Sequence, residues 1–362
     1  MAQYVIIGNG VAAIGCIEGI RKEDTQNKII VISEEPHPVY CRPLISYYLE
    51  GKTDLEKMSY RNPNFYDEMN CEVLYGRKAV RIDNTTKQIT LNDETIIPYD
   101  KLCIATGSSP FIPPFAGLET VEQKYSFMTL DNMLELESAI DKDSKVLIIG
   151  AGLIGLKCAE GLKDRVCSIT VCDLAERVLS SILDSDCAAM MQKHLEANGI
   201  QFMLGDSAVS FDQNTALMKS GKTVNFDILV LAILPNAYMQ GNCAGINMSG
   251  GTAIFDKAIP MNSIGFFGLH AMTAGSYYTT DEGGELYEEK TENTLKRLFT
   301  RDGYLTGFIL IGNTDTSRAG IYTSLIREHT PLNSIDFETL KRGATSTAFS
   351  YEKRKHIFGG VV

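Results

Sequence analysis

The sequence predicts an α/β chain: two Rossmann-like dinucleotide-binding domains followed by a C-terminal α+β domain. Three observations lead there. A strand–glycine turn–helix–strand unit opens the chain, with Gly8, Gly10 and Ala13 in the spacing G-x-G-x-x-A. A second such unit carries Gly150, Gly152 and Gly155 as G-x-G-x-x-G. From Ile264 onward the pattern changes to short β runs and charged turns.

In the first unit, Tyr4 to Ile7 is an apolar, β-branched run that reads as a buried strand. Gly8 permits a tight turn off it. Gly10, with Asn9 before it, lets the backbone approach a pyrophosphate, and Ala13 lets helix and strand pack closely. Val11, Ala12, Ile14, Ile17 and Ile20 then fall at helical spacing, so free N–H groups and a positive dipole end face the turn. The strand Ile29 to Ile32 leads to Glu34, 21 residues after Ala13. A carboxylate about 20 residues on is what accepts a ribose hydroxyl. The alternative is an ordinary βαβ unit whose glycines only make the turn.

Composition narrows the rest. Hydrophobic residues make up 44% of the 362 and charged residues 22%, an ordinary balance for a water-soluble chain. No run approaches the ~20 apolar residues of a membrane span, and no signal peptide is visible, so the expected compartment is the cytoplasm. A net charge of −11 argues against nucleic acid as a partner. The basic stretch Lys353, Arg354 and Lys355 reads as a solvated surface, with an acidic protein partner as the alternative. Nine scattered cysteines without C-x-x-C suit free thiols, and five distant histidines give no metal site.

Along the chain, Pro36, Pro38 and Pro43 hold an extended segment containing Cys41 and Arg42. Cys41 reads as a packed thiol rather than a nucleophile. Cys71 to Ile82, Lys87 to Leu91 and Tyr99 to Ala105 read as strands. The last runs into Thr106 and Gly107, where backbone can approach a ligand at a strand's carboxyl end. Pro110, Pro113 and Pro114 form a stiff linker. Asp131 to Ile140 reads as a helix and Lys145 to Ile149 as the strand before the second glycine turn. Ile154 lies on the apolar face of the helix that follows. Ser168 to Cys172 is the next strand, ending in Asp173, 18 residues after Gly155. Asp173 suits a ribose 2′-OH and repels a 2′-phosphate, while nearby Arg177 weakens that preference. Cys167 and Cys172 sit about 16 Å apart along one strand, too far for a disulfide. Asp184 to Asn198 reads as a helix closed by Gly199. Gln201 to Leu204 and Phe226 to Leu231 are strands, and a helix is expected to start near Ala237 with Asn236 as its cap. In the last region, Ile264 to Leu269 and Ser276 to Thr279 read as strands, Leu295 to Thr300 and Leu305 to Ile311 as a hairpin, and Thr316 to Arg327 and Phe337 to Arg342 as helices.

Taken together these residues resemble the pyridine nucleotide-disulphide oxidoreductases, flavoproteins with two dinucleotide sites. The nearest branches are NADH:rubredoxin oxidoreductases and the flavin module of nitrite reductase large subunits. The resemblance covers nearly the whole chain. It implies that Gly8, Asn9, Gly10, Ala13, Glu34, Arg42, Pro43, Val80, Ala105, Thr106 and Gly107 hold FAD. Val80 would touch the adenine through its backbone, and Arg42 would meet a phosphate or a flavin edge unless it is a surface arginine. Gly150, Gly152, Ile154, Gly155 and Asp173 would hold NAD(P)H, with NADH preferred. The segment from Ile259, Pro260, Met261 and Asn262 resembles the family's last domain.

Two departures stand out. Lys157 occupies the position where the family carries a glutamate near the nicotinamide. The larger departure is an absence. The family's segment between the last strand of the NAD domain and the helix near Ala237, with its flavin-binding Gly-Asp, has no counterpart. Gly205 and Asp206 lie too early to supply it. The seam falls near residues 232–235. By the resemblance, residues 1–115 with 233–260 form a discontinuous FAD domain, 116–232 the NAD domain and 261–362 the C-terminal α+β domain; loss of the segment would leave the FAD domain incomplete and bare an edge of its sheet. The missing carboxylate contact alone is worth about 1.5–3 kcal/mol, roughly 10- to 100-fold in affinity.

The expected activity is therefore hydride transfer from NADH to flavin, with electrons passed to a small redox protein such as rubredoxin or to a small acceptor. The cofactor carries that chemistry, so no catalytic acid, base or nucleophile is named. The resemblance leaves room for a homodimer and for a place in a larger electron-transfer assembly. Two other readings stay open: a truncated, non-catalytic nucleotide-binding or structural subunit, and a disulfide or coenzyme A disulfide reductase using Cys41.

Overall fold

The protein is described from a computed structural model, over residues 2–109, 112–231, 238–254, 259–278, 282–312, 314–350 and 354. The chain divides into two compact units. One comprises Met1–Pro113, Ser126–Ala139 and Ala232–Asp256; the other comprises Pro114–Tyr125, Ile140–Leu231 and Lys257–Val362.

The first unit is built on a parallel sheet in the order Cys71–Tyr75, Ile29–Ser33, Tyr4–Ile7, Lys101–Ile104. Its two central strands are buried throughout and, apart from Ser33, hydrophobic, because both faces are covered. Tyr4, Ile6, Ile29 and Val31 pack with Ala13, Ile14, Ile17 and Ile20 of the helix Val11–Glu23. Val5, Ile7, Ile30 and Ile32 pack on the other side with Ile89 and Leu91. Those two belong to a small antiparallel sheet of Ala79–Asp83, Gln88–Leu91 and Ile96–Pro98. Lys101–Ile104 is the last strand of the parallel sheet, and Ile104 at its end is 64% exposed.

The helix Tyr238–Met248 lies directly on Val11–Glu23, backbone against backbone. A Cβ on Gly241 would fall 2.0 Å from the Ala12 carbonyl oxygen, and one on Gly245 would fall 2.1 Å from that of Cys16. Asn242 donates through Nδ2 to the Gly15 carbonyl at 3.0 Å, and Lys22 donates to Asn242 Oδ1 at 3.1 Å.

The second unit holds a parallel sheet in the order Gln201–Leu204, Ser168–Asp173, Lys145–Ile149, Ile228–Leu231, Lys124–Ser126. Leu147, Cys172 and Leu229 bury one face against Phe211, Ala216, Met218 and Phe226, in and beside a small sheet of Ala208–Asp212, Thr215–Met218 and Thr223–Asn225. Each glycine-turn sheet thus carries its own three-stranded antiparallel flap. The rest of this unit is an antiparallel sheet in the order Met261–Phe266, Leu269–Gly275, Tyr304–Ile311, Leu295–Arg301, Gly284–Lys290. Leu298, Phe308 and Leu310 pack with Tyr322, Leu325 and Leu340 from the helices Gly320–Arg327 and Phe337–Arg342.

Several sequence expectations need correction. The run Cys71 to Ile82 is two strands in different sheets, because Gly76 takes φ +65 and turns the chain. The strand expected at Ser276 to Thr279 lies earlier, at Leu269–Gly275, after a turn at Phe267 and Gly268 that divides the run Ile264 to Leu269. Thr316 to Arg327 is a 3-10 turn, Thr314–Arg318, and a separate helix, Gly320–Arg327. The expected seam at 232–235, the cap Asn236, and most of the basic stretch 353–355 lie outside the described residues. Among the described residues no helix is long and apolar enough to cross a membrane.

Two charge clusters sit on the strand Leu295–Arg301. Lys296 is fully buried, within 3.3 Å of Asp315 and 2.9 Å of Glu289. Asp315 also accepts from the Tyr322 hydroxyl and the Ala344 N–H. Arg297 reaches Asp184, Asp186 and Glu288, tying this sheet to the start of the helix Ser185–Ala197. Partial burial alone would raise the Asp184 pKa. The Cys187 N–H and thiol and the Arg297 guanidinium outweigh it and hold the carboxyl below the ordinary aspartate value. A depressed carboxylate stabilises the fold above its unfolded pKa of about 4 and stops doing so as pH falls through the lower folded value. Urea midpoints are therefore expected to drop on acidification below about pH 4, and Asp184→Asn is expected to reduce that drop.

Candidate dinucleotide cradles

The two glycine turns have nearly the same backbone. Gly8 takes φ +106 and Gly150 φ +115. Gly10 sits at φ −90, ψ −172 and Gly152 at φ −85, ψ −172, each as the N-cap of the next helix. Neither cap position supplies a side-chain acceptor, so no side-chain cap covers the first-turn N–H groups. A Cβ on Gly10 or Gly152 would meet nothing within 4 Å, whereas one on Gly8 would lie 2.2 Å from the Ala105 carbonyl oxygen. The open glycines leave room for a ligand, while Gly8 lets neighbouring backbone close in. Gly155 lets its helix pack on its own turn, since a Cβ there would be 1.9 Å from the Gly150 oxygen.

At the front cradle, the Ala105 N–H donates to Ile7 at 2.7 Å and brings Ala105, Thr106 and Gly107 beside the turn. Gly107 takes φ +70. Ala13 is fully buried against the sheet. Glu34 follows the strand Ile29–Ser33 with its carboxylate exposed and 2.8 Å from Lys78. Lys78 leads into the strand of Val80, which sits exposed at a register shift between Ala79 and Arg81. Arg42 and Pro43 lie in the 3-10 turn Arg42–Leu44. The Arg42 guanidinium donates to Glu35 at 2.5 Å, and the Tyr40 hydroxyl donates to the same carboxylate at 2.6 Å. Arg42 is thus ion-paired with Glu35. Cys41 is half-buried, and that burial pushes its thiol pKa up, so it is not a ready nucleophile.

At the second cradle, Asp173 is fixed beside the glycines. Its carboxylate accepts the Ala151 N–H at 2.7 Å and the Ala175 N–H at 2.8 Å. Ile154 is buried in the first turn of the helix Leu153–Leu162. Arg177 donates to the carbonyls of Leu183 at 3.3 Å and Ser180 at 3.4 Å, closing its own loop. Lys157 pairs with buried Glu160, whose other oxygen accepts the Phe267 N–H at 2.6 Å. Cys167 and Cys172 are both free thiols. Asp206 accepts from Ser207 and Ser220 and serves a turn of this half.

Sequence reasoning missed Tyr66, which donates to the side chain of Asn9 at 2.7 Å. It also missed Glu35, the hub that Tyr40 and Arg42 share. Neither has a spacing signal, because both contacts depend on how a proline-bound loop folds back.

Two cradles of one geometry, each followed by a strand-end acid, define a class: enzymes that bind two dinucleotides. Residues 2–263 match the family model described as pyridine nucleotide-disulphide oxidoreductase. The chain belongs to that family, whose members are FAD- and NAD(P)H-dependent oxidoreductases. It is 28% identical over 398 positions to the NADH-dependent phenylglyoxylate dehydrogenase subunit epsilon of Aromatoleum evansii, covering 92% of this chain and 93% of the relative. It is 31% identical over 263 positions to a nitrite reductase [NAD(P)H] of Bacillus subtilis, covering 70% of this chain but only 32% of that protein. Among solved structures, a putidaredoxin reductase in covalent complex with putidaredoxin matches with TM-score 0.81 at 18% identity, over 99% of this chain and 98% of the other. In the first alignment, 92% of 362 residues fills about 333 of 398 positions, so some 65 positions of the relative face no residue here.

Proposed function

We propose that this chain is an FAD-dependent oxidoreductase that takes hydride from NADH in preference to NADPH and passes electrons to a small iron–sulfur redox protein, rubredoxin-like or ferredoxin-like. The observation that carries this reading is the duplicated glycine geometry, with a strand-end acid after each copy. Bound FAD supplies the hydride-accepting ring and the ability to release electrons singly.

The residues do the rest. Gly8 and Gly10 admit a pyrophosphate, and the uncapped first turn of Val11–Glu23 turns its N–H groups toward that charge. Glu34 accepts a ribose hydroxyl, with Asn9, Arg42, Pro43, Val80 and Ala105 to Gly107 around the same cofactor. Gly150, Gly152, Ile154 and Gly155 form the matching cradle for NADH. Asp173, immobilised by two backbone donors, accepts the 2′-OH. With Arg177 engaged by carbonyls of its own loop, a 2′-phosphate would meet the carboxylate first. Residues 1–115 with 233–260 act in this reading as the FAD domain, 116–232 as the NAD domain, and 261–362 as a separate module.

The test is direct. Purified protein should be yellow, and its flavin absorbance should bleach on anaerobic addition of NADH. A second reading, a shortened and non-catalytic subunit, draws support from the aligned positions with no residue here and from the sheet that ends at Lys101–Ile104. Colourless, folded protein unable to take up added FAD would decide for it. Cys41→Ser is expected to leave NADH oxidation unchanged, measured at saturating acceptor. Loss of turnover would instead point to a thiol mechanism.

A further inference from the structure

The front glycine turn contains a buried donor with no acceptor. Asn9 lies between Gly8 and Gly10, and its Nδ2 is shielded from water with no hydrogen-bond partner among the described residues. An amide left in that state is destabilising, because burial strips its water and returns no bond. At its other end the Tyr66 hydroxyl donates to Oδ1 at 2.7 Å.

Tyr66 is itself held. It belongs to the short helix Phe65–Glu68, whose Phe65 is buried. Its ring meets Phe65 edge-on at 5.3 Å and Tyr75 edge-on at 6.5 Å. Burial, and next the neighbouring Tyr75, push the Tyr66 pKa well above its ordinary value, so the hydroxyl keeps the proton it donates. In this arrangement the hydroxyl donates and Oδ1 accepts, which sets the amide in one of its two orientations. Nδ2 is then turned away from Tyr66, within a turn whose neighbouring Gly10 leaves open space.

We infer that Tyr66 is a positioning residue for FAD: it locks the Asn9 amide so that Nδ2 is kept as a donor for a pyrophosphate oxygen of the bound cofactor. The inference rests on the flavoprotein reading above. It assigns the unpaired donor to an acceptor that arrives with the ligand. It also gives Tyr66 a role no glycine motif would indicate.

The experiment is an FAD titration of apo-protein followed by flavin fluorescence, on wild type, Tyr66→Phe, Asn9→Ala and the double variant. Melting of each apo-protein is recorded alongside. Tyr66→Phe should weaken FAD binding roughly 10-fold, the loss of about one oriented hydrogen bond. In the Asn9→Ala background the same change should have no further effect, because the amide it orients is gone. Wild type that binds FAD while Tyr66→Phe binds equally well overturns this inference alone. So does an equal loss in both backgrounds, which would mean that Tyr66 acts by packing. Wild type that takes up no FAD overturns the flavoprotein reading, and this inference with it.

Discussion

Asp173→Asn combined with Leu174→Arg is expected to turn an NADH-preferring chain into one that prefers NADPH. Asp173 lies beside the second glycine turn with both oxygens held by backbone N–H groups, and Leu174 next to it is exposed. A carboxylate there faces the 2′ position of the adenosine ribose in the proposed mode of binding. Removing its charge relieves repulsion of a 2′-phosphate. An arginine at 174 adds a charge-assisted hydrogen bond of about 1.5–3 kcal/mol. Together these should shift the ratio of kcat/KM for NADPH over NADH by roughly 10²- to 10³-fold. Asparagine keeps only one of the two acceptor oxygens, so thermal stability should also fall modestly. Lost stability affects both nucleotides alike, whereas the ratio isolates the site. An unchanged ratio would remove Asp173 from the ribose.

Gly245→Val is expected to destabilise the first unit severely. Even a bare Cβ at this position would come within 2.1 Å of the Cys16 carbonyl oxygen, and Gly241 is as tight against Ala12. Both collision partners are backbone, so no side chain can rotate away. The two helices would have to separate, breaking the Asn242 bond to Gly15 and opening the apolar cluster beneath. Overpacking typically costs 1–3 kcal/mol. With backbone on both sides the figure should be about 3–5 kcal/mol, against a total stability of about 5–15. Soluble yield and the urea midpoint are the measurements. Gly10→Ala supplies the contrast. Its Cβ has open space and its φ is ordinary, so folding should be intact while FAD affinity drops. If Gly10→Ala unfolds the chain and Gly245→Val does not, the roles assigned to these glycines are reversed.

The parts of this molecule that a reader of the sequence can find are those fixed by local rules. Gly8 and Gly150 need positive φ, and the strands before them are apolar because sheets covered on both faces require it. Hence both cradles, and the acids that follow them, are visible in the letters. The rest depends on distant partners. Lys296 reads as a solvent-facing charge, yet it is buried because Asp315 and Glu289 come from elsewhere in the chain to meet it. Gly241 and Gly245 display a close-packing spacing, but nothing local says that their counterpart is a helix more than two hundred residues earlier. The break at Gly76 was hidden because residues 71–82 are strand-forming on both sides of it. Tyr66 sits in a polar, proline-flanked stretch with no periodicity at all.

The strand Lys101–Ile104 ends its sheet with no described strand along its outer side, and its terminal isoleucine faces water. Such a rim offers bare amides and carbonyls to any extended polypeptide that drifts past. Among the described residues its brevity and the cationic Lys101 act as gatekeepers. Crowding at high concentration should therefore favour self-adhesion through this rim, and a second lysine in place of Ile104 should keep the protein dispersed.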